Sequence, residues 1–376
     1  MKKSKIIALL LAALTVTTAF TGCGQNEDTS VGGTNGGSVQ TEQGGTNGGG
    51  AQTEQGGTNG GGTQTEQGGT NGDAQTEQGG TNDSKDTSKT PAAEMIAQEP
   101  YSKGLEFELN EDGDAYIVIG IGTCKDTELI IPSAHEGLPV TEVGNKAFNQ
   151  NEDLTSLTLQ EGVQCVGDYA FSACRKLEKI TLPKSLTEFS QYAFAYCTSL
   201  VDVTIPEGPT SIGSGTFAGC VSLTGITIPK SVTGIGSELF KGCTSLEDIT
   251  IPDGVTSIGM SAFNDCDVLK SITIPGSVNY IWDEAFRSCD ILEIVTLEEG
   301  VKEIGYRAFM GCYAVTDFTI PKSITRIHET AFVDSPAILL HARYNGTVAE
   351  WEEFIKTSGY RWSKSKMVCA DGVYQP

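Results

Sequence analysis

Thiols are the most reactive groups that this sequence repeats. Seven cysteines stand 23 residues apart, at Cys174, Cys197, Cys220, Cys243, Cys266, Cys289 and Cys312. A file of thiols can form disulfides, which a secreted chain would favour, or hold a metal. Seven is an odd number for pairing, and no Cys-x-x-Cys spacing occurs. Each Cys lies three residues after a Phe and three before a Leu or Val, where a small, weakly polar side chain packs well. The reading is a column of buried free thiols, with bridges between adjacent repeats as the alternative and metal binding or catalysis behind both. Cys165 stands apart from the column, between Val163 and Val166, and is expected to react early.

Other reactive constellations are sparse. The three histidines, His135, His328 and His341, are far apart, and there is no phosphate-binding Gly loop, nucleophile elbow or paired His-Glu spacing. Carboxylates are numerous but scattered, as on a solvated acidic surface. A net charge of −23 argues against nucleic acid and against anionic membrane patches. No cofactor or catalytic residue is expected, and no metal.

The element that positions the thiols is a repeat. Phe returns nine times without a slip, at Phe148, Phe171, Phe194, Phe217, Phe240, Phe263, Phe286, Phe309 and Phe332. A fixed period of this length means a solenoid. One copy contains Ala262, Phe263, Cys266, Leu269, Ile272, Ile274, Pro275, Val278 and Ile281. Ile272 and Ile274 alternate with Ser271 and Thr273, so the Ile side faces in, and Pro275 ends the strand because it brings no N–H. Val278 and Ile281 give a second inward segment, after which Gly usually turns the chain, as at Gly213, Gly236, Gly259 and Gly305. The Ala-Phe-x-x-Cys-x-x-Leu portion has the spacing of one or two helical turns. Such a coil cannot bury its own apolar side, so stacking makes the core. With strands about 4.8 Å apart, nine rungs would extend roughly 45 Å.

These residues resemble the BspA-like leucine-rich repeat of bacterial surface proteins, over residues 101–376. The departures are few: Thr216 and Leu239 replace the Ala, Asn151 and Ser335 replace the first and last Cys, and Trp282 and His328 replace the Gly. The resemblance implies a leucine-rich repeat solenoid, a parallel β-ladder with short helical or 3-10 turns and caps at both ends. It also implies a cell-surface binding or adhesion role with an unspecified ligand.

Taken in order, residues 1–22 read as a signal peptide. Lys2, Lys3 and Lys5 precede an apolar run from Ile6 to Leu14. The run ends in Phe20-Thr21-Gly22-Cys23, which resembles the lipobox of bacterial lipoproteins, and by that resemblance Cys23 would carry the lipid. Residues 23–100 hold five Gly-Gly-Thr-Asn copies and no large apolar side chain between Val39 and Met95, so they are expected to form a disordered tether. Its r.m.s. reach would be roughly 45–50 Å. Residues 101–147 read as an N-terminal cap and first rung, built on a hairpin around Asp112-Gly113. About five extra residues follow near His135-Glu136-Gly137-Leu138-Pro139. The array is 148–336. In the C-terminal cap, 337–376, Ile338-Leu339-Leu340 reads as a strand and Thr347-x-x-Glu350 as a capping box opening a helix that carries Trp351, Phe354 and Ile355.

Stacking turns each position into a column. The exposed middle of the main strand is Thr158, Thr181, Thr204, Thr227, Thr250, Thr273, Thr296 and Thr319. Thr suits an exposed strand, and the position two before it varies, so no double-Thr ice-binding lattice is present. The turn after the Pro position alternates, with Glu161-Gly162, Lys184-Ser185, Glu207-Gly208 and Lys230-Ser231 in succession, which replaces like-charge repulsion with mild attraction. One edge breaks the repeat by gaining aromatics. Trp282 takes a Gly position, Tyr280 lies two before it, and Tyr306 and Arg307 follow one rung on. Stacking should gather all four. Trp, Tyr and Arg are enriched in interface hot spots, so this edge is the candidate binding patch, with local packing as the plain alternative.

The sequence thus leads to a lipid-anchored protein on the extracellular face of a cell membrane. It would bind an extracellular protein or other surface macromolecule and no nucleic acid, without catalysing a reaction. The alternatives are a structural envelope lipoprotein without a soluble ligand and an enzyme with a site in one cap.

Overall fold

The computed structural model describes residues 100–362 and 365–376. The expected signal peptide, Cys23 and tether lie outside the described residues. The described chain is a parallel β-solenoid of about 11 turns at a spacing of ~23 residues. Each coil has a main strand, a short second strand and a side made of turns. The main ladder pairs Leu157 with Ile180, Val203 with Ile226, Ile272 with Val295 and Val295 with Phe318. These residues are buried, while the Ser, Thr and Asp between them face out. The second ladder pairs Val143 with Val166 and Phe189, and further on Ile258 with Ile281, Ile304 and Ile327.

The side opposite the strands carries the phenylalanines. Consecutive rings of the column stack at centroid distances from 5.0 to 6.1 Å and within 29° of parallel. Here the structure differs from the helical spacing in the sequence, because these segments do not wind into a helix. Two residues in nearly every coil take the left-handed conformation, such as Tyr169 (φ 55°) and Ala173 (φ 58°), or Ser261 (φ 53°) and Asp265 (φ 59°). That conformation turns alternate amides sideways. Phe171 N–H donates to Ala193 O at 2.8 Å and Phe263 N–H to Ala285 O at 2.7 Å, each in the next rung. The side of turns is therefore a third ladder in the same register as the strands, since the Phe rings it carries stack one full repeat apart.

The cysteine column has a polar task that its spacing did not disclose. All seven thiols are free and buried. Each donates to the carbonyl of the Phe in the preceding rung, as Cys174 to Phe148 at 3.2 Å and Cys312 to Phe286 at 3.1 Å. Where the last Cys is replaced, Ser335 Oγ makes the same bond to Phe309 O at 2.6 Å. Cys165 does not behave as expected: it is buried in a strand paired on both sides, with Glu142 and Glu188 as register partners, and its side chain is engaged. Early labelling is not expected of it.

The alternating turns also work differently. Glu161 does not reach the Lys184 ammonium; its carboxylate accepts the backbone N–H groups of Lys184 and Ser185, at 3.0 and 3.2 Å. Ser185 Oγ in return donates to Val163 O at 2.8 Å. The arrangement recurs at Glu207 with Lys230-Ser231 and at Glu299 with Lys322-Ser323, so rungs are bonded in pairs on this side.

At the N-terminal end Glu106–Leu109 and Tyr116–Gly120 form the expected hairpin, which extends the second ladder beside Leu138–Val143. Phe107 stacks on His135 at 3.8 Å, while Ser102 closes the main ladder by exchanging bonds with Ile130. At the other end the expected strand at Ile338–Leu340 is instead part of a helix, α1 (Pro336–His341). Proline at the first helical position presets the backbone for a helix, and Ile338 alone is buried. The strand follows at Ala342–Tyr344 and pairs with Asp317–Ile320. Thr347 and Glu350 form the capping box of α2 (Val348–Ser358), whose Trp351 and Phe354 cover the last coil with Trp362.

This packing can be tested at the ring column and at the thiols. Phe240 is fully buried mid-column, so Phe240→Ala should cost about 3–5 kcal/mol in denaturant melts, and a loss below about 1 kcal/mol would mean that the column is not a core. For the thiols, burial pushes Cys174, Cys220 and Cys312 from an ordinary value near 9 to about 12, and Cys197, Cys243, Cys266 and Cys289 in the same direction. In the unfolded chain they ionise near pH 9, so above that pH the unfolded state binds fewer protons and stability falls, by about 1.4 kcal/mol per thiol and pH unit. Alkylation should be slow at pH 8 and fast after denaturation, and urea midpoints should drop steeply between pH 9 and 11. Midpoints that stay level over that interval, or bridges between neighbouring rungs in mass spectrometry, would contradict the buried column.

Candidate binding edge

Groups able to do bond chemistry are dispersed or occupied. The thiols bond to carbonyls in the interior. His135 lies in the N-terminal cap, His341 ends α1, and His328 sits on the second-ladder edge. Among the described residues no cluster of three His, Cys, Asp or Glu side chains could hold a metal. None of their helices is long and apolar enough to cross a membrane.

Two surfaces stand out. On the main strand face the ladder is interrupted: the rung at Asp248 makes only an isolated bridge to Gly225, and Ser271–Ile274 starts a new sheet. A cleft of about 480 Å³ lies at this break, lined by Asp248, Thr250, Asp253, Ser271, Thr273 and Glu298. It is acidic and lacks aromatic anchors.

The other surface is the aromatic edge. Tyr280–Ile281 is a second-ladder strand between Ser257–Ile258 and Glu303–Ile304. Ile281 points into the core and fixes its neighbours outward, leaving Tyr280 43% and Trp282 51% exposed. Their rings meet at 5.9 Å with a tilt of 34°. Trp282 continues the ladder through its N–H to Ile258 O at 2.9 Å, so its backbone is as fixed as that of the glycines in its column. Its neighbour in the column is Gly305, where an added Cβ would come 2.7 Å from Asp283 Oδ1. The next residue in the column, His328, meets the Tyr306 ring edge-on at 5.2 Å. Asp283 Oδ1 holds the Tyr306 N–H at 2.8 Å.

Between Trp282 and His328 opens a cleft of about 240 Å³, lined by Tyr280, Trp282, Glu303, Tyr306, Arg326 and His328. Stacking thus gathers three of the four singled-out residues. Arg307 stands behind them, half-buried in the left-handed conformation, with its guanidinium over the Tyr306 ring at 4.7 Å and its Nε buried without a hydrogen-bond partner. It anchors Tyr306 and does not line the cleft.

His328, Glu303 and Arg326 were missed as members of the site. The signal was in the columns: His328 replaces the same Gly as Trp282, two rungs later, and Glu303 and Arg326 follow Tyr280 in register. A second aromatic group, Tyr169, Tyr192 and Tyr196, also went unread. Tyr169 and Tyr192 stack at 5.1 Å, and the rings of Tyr192 and Tyr196 fill the space a side chain would take at Gly215 and Gly219. Tyr169 and Tyr196 are exposed as well, but their rings lie over the backbone of the turn side and among the described residues they line no cleft like that beside Trp282.

The sequence matches the family described as BspA type leucine rich repeat region, in six copies over residues 123–244 and 210–339. Among solved structures it is similar to a leucine-rich repeat protein of T. pallidum, with 30% identity over 58% of this chain and 91% of that one, and a TM-score of 0.43. It is also similar to a leucine-rich cell surface protein of Faecalibacterium prausnitzii, with 24% identity over 69% and 97% of the two chains and a TM-score of 0.39. A leucine-rich repeat protein of Bacteroides ovatus matches at 19% identity over 73% and 100%, with a TM-score of 0.32. No curated protein matches the chain.

Proposed function

The chain belongs to the BspA-type leucine-rich repeat family, and from that premise we propose that it is a cell-surface binding protein, held by a lipid on Cys23 and displayed on the extracellular face. Its task is recognition of an extracellular protein or another surface macromolecule, and it catalyses no reaction. The observation that carries this reading is the aromatic edge. Solvent-exposed Trp282 and Tyr280 sit on a backbone fixed by ladder bonds on both sides, with Glu303 and Arg326 at the rim. A rigid aromatic anchor loses little conformational entropy on binding, and a polar rim supplies orientation. The lipid and the stretch 23–100 fit the same role, since they would hold the solenoid away from the membrane and leave the edge free.

The test pairs a capture experiment with a variant. The secreted form should retain a defined partner from bacterial or host surface extracts. The double variant Trp282→Gly, Tyr306→Ser should melt within a few degrees of the parent, because Gly is the common residue of that column, while binding falls at least tenfold, or about 1.4 kcal/mol. A variant that melts like the parent and binds an identified partner with unchanged affinity would reduce the edge to packing.

A further inference from the structure

We propose that the cleft between Trp282 and His328 takes one neutral hexopyranose unit of a surface glycan; this rests on reading the edge as a binding surface. The size comes first. At about 240 Å³ the cleft is smaller than pockets that enclose drug-sized ligands, and it suits one ring-sized group. The slot is held open at Gly305, where a side chain would collide with Asp283, and it is walled by Trp282 and His328 two rungs apart, roughly 9.6 Å along the ladder.

The chemistry of the walls selects the class. Tyr280 and Trp282 present a tilted pair of exposed aromatic faces, electron-rich surfaces on which the weakly positive C–H face of a pyranose lies flat. The rim offers Glu303, Arg326 and His328, groups able to accept or donate to ring hydroxyls. Charge then separates neutral from ionic ligands. Asp283 Oδ1 is occupied by the Tyr306 N–H, and Glu303 lies 3.9 Å from Arg326, so the first carboxylate is hydrogen-bonded and the second ion-paired within the protein. A cationic side chain would find Glu303 already paired and Arg307 behind Tyr306, and an acidic glycan would meet the net charge of −23. A neutral, hydroxyl-rich ring meets neither objection.

The protein carries its own reporter. Of its three tryptophans, Trp351 is fully buried and Trp362 nearly so, which leaves Trp282 as the one open to a soluble quencher. Acrylamide quenching of the full chain is measured with maltohexaose, cellohexaose, mannan and chitohexaose, with heparin and polylysine as charged probes. At least one neutral glycan is expected to shield Trp282, and affinity by calorimetry should fall about tenfold in Tyr280→Ala and more in Trp282→Ala, with melting preserved. Shielding by heparin or polylysine alone, or by none of the probes, overturns the assignment. If no neutral glycan binds but the Trp282→Gly, Tyr306→Ser variant still loses its surface partner, the glycan inference fails and the edge remains a binding surface. If neither binding is lost, both readings fall.

Discussion

A single coil of this solenoid has no interior of its own, and every buried side chain depends on register with the coil beside it. Three backbone ladders impose that register together. Two run along the strands and the third along the turns, all in step with the repeat, and the thiols tie Phe carbonyls to the rung that follows. An extra residue inside any rung would break all three ladders and move Phe out of its stack. The chain gains length only where the constraint relaxes. Glu128–Ile131 pairs with Ser156–Leu159 across a longer loop than any later rung has, and the surplus is folded into the small hairpin of Ala134–His135 with Leu138–Pro139.

Much of this was legible because periodicity is a direct record of burial. The Phe column, the alternation at Ile272 and Ile274 and the capping box at Thr347 and Glu350 follow from spacing alone, and each recurs in the structure. What was not legible depends on backbone geometry or on contacts between coils. Left-handed Tyr169, Ser261 and Arg307 carry no glycine signature, so the side of turns looked helical. The apolar triplet Ile338-Leu339-Leu340 reads equally well as strand or helix, and Ser335-Pro336 decides it. The thiol-to-carbonyl bond joins positions more than a full repeat apart, and its one sequence trace was the polar replacement Ser335.

The candidate site was legible for a related reason, since in a repeat the exceptions are visible against the rule. Trp282 was conspicuous because Gly belongs in its place. Its partners were not, because Glu303 and Arg326 are ordinary residues for an exposed position and only the register brings them to Tyr280. An outward position in the ladder can therefore change while the inward columns keep the fold. The ladder-bonded backbone is common to the rungs, and what differs from rung to rung is a few outward side chains.

The bonded pairs of turns bear on how such an array changes length. Glu161 cradles both amides of the next turn and Ser185 returns the bond, while across a pair boundary the contact is a single bond, from Gly276 N–H to Glu298 Oε2 at 3.2 Å. The structural quantum on this side is thus two coils. Duplication or loss of an even number of coils keeps every acidic turn beside a serine turn, but an odd step sets two turns of one kind together and leaves an acidic turn without the paired amides its carboxylate accepts. Recombination within the coding sequence would then be filtered by parity, and relatives with longer or shorter arrays should differ by multiples of two coils more often than chance allows.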